Sequence, residues 1–343
     1  MRYGWQSLSG WPDSAGAADP AAAATFLASV WSPEGFRAGV DLRKGPLPAT
    51  PETTACVIRA LLKRPNPGGP AECGALLSPA ATLLAQQAPK LEHPQVVGAA
   101  LWAVLELAEA DRAGGRWTPT IKGLASQLVH TQDSPGTWTT KAGYVPACAA
   151  AIDAGAALHF AAIALGGDPK IERAASQCAE WTLSKQKTNG YFYACTWSNI
   201  ASTNPLLSDL VITATQLLRL GLALDNKHYR AAGLLTLRNL VQRLPEKGLP
   251  WAAWTSEWNY EKHRSPYGAL LLAQACQLAL QAPGPERHGA DFAAARTELL
   301  RRVARCQLRQ TDRQLAPLRG GVIGAIPLWG REAPWRVDTA ATA

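Results

Sequence analysis

The sequence predicts an all-α fold, an (α/α)6 barrel in which inner and outer helices alternate along the chain as one domain spanning residues 1–343. Three observations carry this expectation. A proline opens each of six long apolar, alanine-rich segments; amphipathic segments fall between them; and the links in one direction are short while those in the other are long. Regular internal repetition of this kind marks a repeat architecture.

The apolar set begins at Pro51 (PETTACVIRALLK), Pro94 (PQVVGAALWAVLEL), Pro146 (PACAAAIDAGAALHFAAIAL), Pro205 (PLLSDLVITATQLLRLGLAL), Pro266 (PYGALLLAQACQLAL) and Pro334 (PWRVDTAATA). Proline suits the first helical position, because the amide hydrogen it lacks would be unpaired there in any case. Thr50, Asn204 and Ser265 precede three of these prolines as candidate N-caps. The amphipathic set covers Pro20 to Val30, Glu72 to Gln87, Pro119 to Gln132, Lys170 to Gln186, Tyr229 to Leu244 and Asp291 to Gln310. Apolar residues at three-to-four spacing with charges opposite describe helices half in water. Helices apolar nearly all round belong inside, so the two sets form concentric rings.

Composition excludes several classes. With 47% hydrophobic and 17% charged residues over 343 positions, the chain can bury a large core and is not disordered. The net charge of +8 is spread without a basic run or a nucleic-acid motif, so no nucleic-acid partner is expected. Seven scattered cysteines without a C-x-x-C pair read as small buried groups in a reducing compartment. No leader-like N-terminus and no apolar run of membrane-spanning length are present, so a cytoplasmic protein is expected.

The asymmetry of the links locates the pocket. Inner-to-outer links such as Gly166 to Asp168 and Asp225 to Lys227 are short and polar. Outer-to-inner links are mostly long, at Ser32 to Thr50, Asp133 to Val145, Lys187 to Asn204, Pro245 to Ser265 and Thr311 to Ala333. They hold Trp138, Tyr144, Tyr191, Tyr193, Trp197, Trp251, Trp254, Trp258, Tyr260 and Trp329, whereas the opposite end holds Trp117. The inner-helix N-termini converge on the same mouth, where their dipoles favour negative charge, and His263, Arg264, Arg319, Arg331 and Arg336 lie at or beside it. An anionic small molecule or oligosaccharide is the expected occupant, with no cofactor and no metal. A tryptophan after a glycine turn, Trp138 above all, also has a structural reading as a clamp between helix pairs.

Three glycine turns carry a resemblance. SPEGF at Gly35-Phe36, TQDSPGTW ending at Trp138 and KQKTNGYF reaching Tyr191 resemble the repeats of the prenyltransferase and squalene-cyclase toroids, over most of the chain from about Pro20. GGVIGAIPLWGR, from Gly320 to Arg331, and the following EAPWR resemble the C-terminal repeat of bacterial toroid proteins of exopolysaccharide biosynthesis. The first resemblance implies a toroid fold. The second implies a sugar-acting role in polysaccharide biosynthesis.

Two enzymatic readings and one non-enzymatic reading follow. An epimerase, lyase or hydrolase acting on an acidic or lipid-linked sugar fits the excess of Trp and Tyr, 13 and 7 against 5 Phe, since these rings pair an apolar face with a polar edge. Its densest candidates lie in WAAWTSEWNYEKHRSPYG, where Glu257, Tyr260, His263 and Tyr267 can move protons and Arg264 can hold a carboxylate. A terpene or polyprenyl cyclase would need an acid, and no D-x-D-D occurs; Asp153 is read as the single acid well inside an inner helix, apart from Asp209 at a helix entry. A buried Asp is costly unless paired or protonated, so Asp153 is either a catalytic acid or a partner for a neighbouring helix, the pairing being preferred. A zinc prenyltransferase site is not matched beyond Cys195 and His263. The third reading is a non-catalytic toroid that binds a glycan or a protein.

The ten residues from Pro334 allow an inner helix only about 15 Å tall. The N-terminal extension, residues 1–18 with Tyr3, Trp5 and Trp11, is expected to cover the resulting seam, together with the GGVIGAIPLWGR loop; a partner subunit in a homodimer is the alternative cover.

Overall fold

The structure is a computed structural model that describes residues 27–37, 39–41, 45–62, 71–111, 115–138, 148–192, 207–247, 266–283, 289–306 and 335–336. Within them, inner helices α1 (Pro51–Leu62), α3 (Pro94–Ala110), α5 (Cys148–Ala164), α7 (Leu207–Ala223) and α9 (Pro266–Ala279) alternate with outer helices α2 (Ala71–Gln87), α4 (Thr118–Thr131), α6 (Pro169–Leu183), α8 (Lys227–Lys247) and α10 (Gly289–Cys306). Each inner helix packs on the next inner helix and on the outer helix that follows it. Leu27, Ala28 and Ser29 are the helical part of the first outer segment that falls within the described residues.

Small residues let the staves close up. A methyl group on Gly98 of α3 would stand 3.1 Å from the backbone and side chain of Ala154 in α5, and one on Gly155 would stand 2.7 Å from the Cys178 sulfur of α6. Leucines on such faces would force the helices apart and open voids. In α6 the buried stripe Ile171, Ala174, Ala175, Cys178 and Ala179 follows the helical period that marked it as an outer helix. Its N-cap Asp168 accepts from the backbone amides of Lys170 at 2.9 Å and Ile171 at 3.4 Å. Thr50 caps α1 as its sequence position predicts, accepting from Thr53 N at 3.1 Å; Asn204 and Ser265 lie outside the described residues.

The outer-to-inner turns share one device. Gln132 follows α4, and its side-chain amide donates to Gly136 O at 3.3 Å and across to Ala174 O of α6 at 2.9 Å. Gln186 follows α6 and repeats the pattern, donating to Gly190 O and to Ala232 O of α8, each at 3.0 Å. The two glycines have φ of +90° and +78°, which side-chain-bearing residues rarely adopt. A Cβ at Gly136 would also stand 2.3 Å from Gln177 O. The turn is thus pressed onto the next outer helix and stitched there.

Four corrections to the sequence expectation concern the links. Short strands occur in them: β1 (Trp31–Ser32) pairs with β2 (Gly35–Phe36), and β3 (Gly39–Asp41) pairs with β4 (Gly45–Pro46). The helix expected from Pro334 is extended where it is described, because β5 (Trp335–Arg336) pairs with β3, Val40 opposite Trp335 and Gly39 opposite Arg336. The open edge of the β3–β4 hairpin offers these residues backbone partners. This pairing ties Trp335–Arg336 to the segment before α1. The helix expected to stop at Leu244 runs on through Pro245 to Lys247, and a 3-10 turn at Ala88–Lys90 continues α2. The N-terminal extension and the GGVIGAIPLWGR loop lie outside the described residues.

Candidate functional site

Polar residues interrupt the inner helices at one angular position. Gln95 and Trp102 in α3, Glu52 and Arg59 in α1, and Asp209 and Gln216 in α7 are each seven residues apart, two helical turns along one face. On α7 that face is opposite Ala214, Leu218 and Gly221, which meet Gly233 and Arg230 of α8. On α5 Asp153 is opposite Ala151 and Gly155, which meet Cys178 of α6. These polar side chains therefore face the lumen, and four neighbouring staves contribute to it.

Four of them, Arg59, Trp102, Asp153 and Gln216, form a connected cluster with Glu106 and Arg219 deep in the ring. The Gln216 side-chain amide donates to Asp153 Oδ1, and Arg219 donates to Gln216 Oε1 at 3.2 Å. Trp102 Nε1 donates to the Asp153 carbonyl at 3.0 Å, which fixes α3 against α5. Arg59 pairs with Glu106 at 3.1 Å, the two side chains being 21% and 17% exposed, so lumen solvent reaches both. The guanidinium groups of Arg59 and Arg219 lie 5.3 and 5.1 Å from the Trp102 ring centroid. Phe160, seven residues after Asp153, completes the aromatic wall at 5.4 Å from Trp102.

The charges in this cluster are unequally compensated. Burial pushes the Asp153 carboxyl above the usual carboxylate range, against the opposing pull of Arg59, Gln216 and Arg219. Burial also works against the Arg59 charge, but Glu106, Asp153 and Cys56 outweigh it and hold the guanidinium above its ordinary value. Arg219 is depressed by burial and by the like charge of Arg59, with Asp153 and Glu106 offsetting only part. Arginine stays protonated at such values. Of these two guanidinium groups, Arg219 thus has more to gain from an added anion. Asp153 is an acid that retains its proton to higher pH than an exposed carboxyl does.

Of the sequence-predicted site residues, Asp153 is brought into this cluster, and its preferred pairing with a neighbouring helix is realised through Gln216. Glu106 is a second acid well inside an inner helix, which corrects the reading of Asp153 as the single one. Trp138 and Tyr191 are each 1% exposed. The Trp138 indole donates to Leu128 O at 2.9 Å, beneath the Gly136 turn. Both rings lie in the core as clamps and are not presented to a pocket. Tyr267 is the second residue of α9, and its side chain lies outside the described residues. His263, Tyr260, Glu257, Tyr144, Tyr193, Trp197, Trp251, Trp254, Trp258, Arg264, Trp329 and Arg331 also lie outside them.

Sequence reasoning missed Arg59, Trp102, Glu106, Gln216 and Arg219. Their signal was the polar interruption of apolar helices at helical spacing, seven residues for Arg59, Trp102 and Gln216 and a further three or four for Arg219 and Glu106, which points one way only if the lumen is wet.

No protein-family model matches the sequence, and no curated protein matches it. Solved structures do match in fold. The unsaturated glucuronyl hydrolase of Bacillus sp. GL1, described as responsible for the degradation of glycosaminoglycan, superposes with a TM-score of 0.76 at 12% identity, covering 98% of this chain and 94% of that one. A cellobiose 2-epimerase from Bacillus thermoamylovorans gives 0.69 at 9% identity over 92% and 94%. The α-1,6-mannanase of Salegentibacter sp. HEL1_6 gives 0.65 at 11% identity over 94% and 96%. The chain has the (α/α)6 toroid fold of these enzymes, as its helical periodicity predicted. Among the described residues no helix is long and apolar enough to cross a membrane.

Proposed function

We propose that the protein is an enzyme acting on an acidic oligosaccharide, of the hydrolase, lyase or epimerase kind, with the lumen cluster as its active site. The observation that carries this reading is the juxtaposition of Asp153, a buried acid whose carboxyl is shifted upward, with Arg219, an incompletely compensated cation on the next inner helix. Asp153 is the general acid, able to protonate a glycosidic oxygen or a developing carbanion. Gln216 orients it. Arg219 receives the sugar carboxylate through its planar donors. Trp102 and Phe160 offer apolar surface to a sugar ring. The sugar-acting solved structures of the same fold support this class of substrate, by fold analogy alone.

Around this centre, the long-loop mouth supplies the rim. His263, Tyr260, Glu257 and Tyr267 remain proposed proton-transfer groups, and Tyr144, Tyr193, Trp197, Trp251, Trp254, Trp258, Arg264, Trp329 and Arg331 proposed binding groups. Trp138 and Tyr191 are left out, because both are buried as clamps. A place in polysaccharide biosynthesis, and a cytoplasmic one, rests on the GGVIGAIPLWGR and EAPWR segments and on the cysteine usage.

The terpene-cyclase reading, and with it the finer kinship to prenyltransferase toroids, is disfavoured by charge. Two guanidinium groups over the same lumen tryptophan would repel a carbocation at the place where its ring should stabilise one. Parallel calorimetric titrations with a uronic-acid disaccharide and with a prenyl diphosphate, each followed by product analysis, test the choice. Binding and turnover of the sugar, weakened about 10- to 100-fold in Arg219→Ala, are expected. Turnover of the diphosphate alone would reverse the assignment.

A further inference from the structure

We propose that Asp209 is the second catalytic carboxyl group of this lumen, the base that activates water while Asp153 supplies the proton, and that the reaction is a hydrolysis with inversion. This rests on the sugar-enzyme reading above. Asp209 stands in the first turn of α7, seven residues before Gln216 and on the same face, so it projects into the lumen directly on the mouth side of the Asp153–Gln216 pair.

The spacing selects the chemistry. Seven residues correspond to about 10 Å along the helix, and both side chains lean toward its N-terminus alike, so Asp209 and the carboxyl that Gln216 holds stay at separate levels of the lumen. Inverting glycosidases hold their two carboxyl groups roughly 6.5–9.5 Å apart to leave room for a water, whereas retaining ones need about 5–5.5 Å. Two carboxyls on adjacent staves at different heights fit the wider gap.

The balance of the step is simple. The Asp209 carboxylate takes a proton from water as the water oxygen bonds to the anomeric carbon. The bond from that carbon to the leaving sugar breaks, its electron pair stays on the glycosidic oxygen, and that oxygen takes the Asp153 proton. Asp209 ends protonated and Asp153 ionised, and exchange with solvent restores both.

The surroundings allow Asp209 to titrate in the working range. Burial raises its carboxyl to about 6. Among the described residues, the titratable group that feels Asp209 is Cys148 of α5, whose thiol also feels Lys185, while Asp153 and Arg219 belong to the cluster two helical turns further in. From α9 the neighbour is Gly268, which abuts Leu207, and α8 meets the opposite face of α7.

The test is steady-state hydrolysis of a uronic-acid-terminated disaccharide between pH 4.5 and 9, with the product anomer followed by proton NMR. Wild type is expected to release the inverted anomer with an acid limb near pH 6. Asp209→Asn should lower kcat by about 10²–10⁴-fold with KM within threefold, and lose that limb. Asp209→Glu should recover part of kcat and restore the limb, and melting curves establish that both variants fold. Undiminished kcat in folded Asp209→Asn, an unshifted acid limb, or retention of configuration would overturn the assignment of Asp209 while leaving a sugar hydrolase. Absence of turnover in wild type on acidic and neutral oligosaccharides alike would instead remove the reading on which it stands.

Discussion

The side-chain amide of Gln216 donates a hydrogen bond to the carboxyl group of Asp153, across the interface between the inner helices α5 and α7. Gln216 is itself held by Arg219, and Arg219 lies over the ring of Trp102, whose indole nitrogen returns to the Asp153 backbone. The four residues come from three helices and close a loop of contacts around one acid. Each is fixed by a residue other than the substrate, which is the condition for a preorganised site.

Replacing Asp153 by Asn keeps the shape and the acceptor for Gln216 but removes the proton. Turnover should fall about 10²–10⁴-fold with little change in melting temperature. A variant that melts far below wild type would show that Asp153 serves the helix interface first, and circular dichroism melting alongside kinetics distinguishes the two.

Arg59 and Glu106 make a different prediction. Glu106→Gln leaves the Arg59 cation half-buried against Trp102 with its counter-charge gone, at a cost of about 1–3 kcal/mol after allowance for lumen water. Urea unfolding should show a lower midpoint at unchanged slope.

The clamp role of Trp138 is separable from any binding role. Trp138→Ala should destabilise by about 3–5 kcal/mol, because a fully buried indole and its bond to Leu128 O are lost. Gly136→Ala should also destabilise, since a Cβ there meets Gln177 O in a backbone region unfavourable to alanine. An effect of Trp138→Phe on KM with stability intact would return Trp138 to the pocket.

Most of the fold was legible because periodicity and proline position report directly on burial and helix starts. The starts at Pro51, Pro94 and Pro266 fell where they were expected. The Pro334 segment did not, because its partner, β3, is nearly three hundred residues away and pairing at that distance leaves no local signal. The site was less legible. Asp153 stood out as a lone acid among alanines, but Arg59 and Gln216 are ordinary residues on a helix until the ring places them on one face. Trp138 was misleading as a binding residue, since an aromatic after a glycine turn looks the same whether it points outward or plugs the turn.

Asp209 gives a pH prediction for stability. Its folded carboxyl, at about 6, lies above the ordinary 3.8, so its contribution is fully present below about pH 4 and is lost as pH rises through 6. Asp209→Asn should therefore gain on wild type by about 1–3 kcal/mol at pH 8 and gain nothing at pH 4. Denaturant titrations at the two pH values check this, and a pH-independent difference would mean that the carboxyl is not desolvated.

The most direct measurement is turnover of a uronic-acid-terminated oligosaccharide by wild type and by Asp153→Asn at equal protein concentration, with products identified by mass spectrometry. The lumen assignment predicts a new sugar product from wild type and at least a hundredfold less from the variant. Equal product from both proteins, or none from wild type while a neutral analogue and a prenyl diphosphate are also untouched, would contradict an active site built on Asp153.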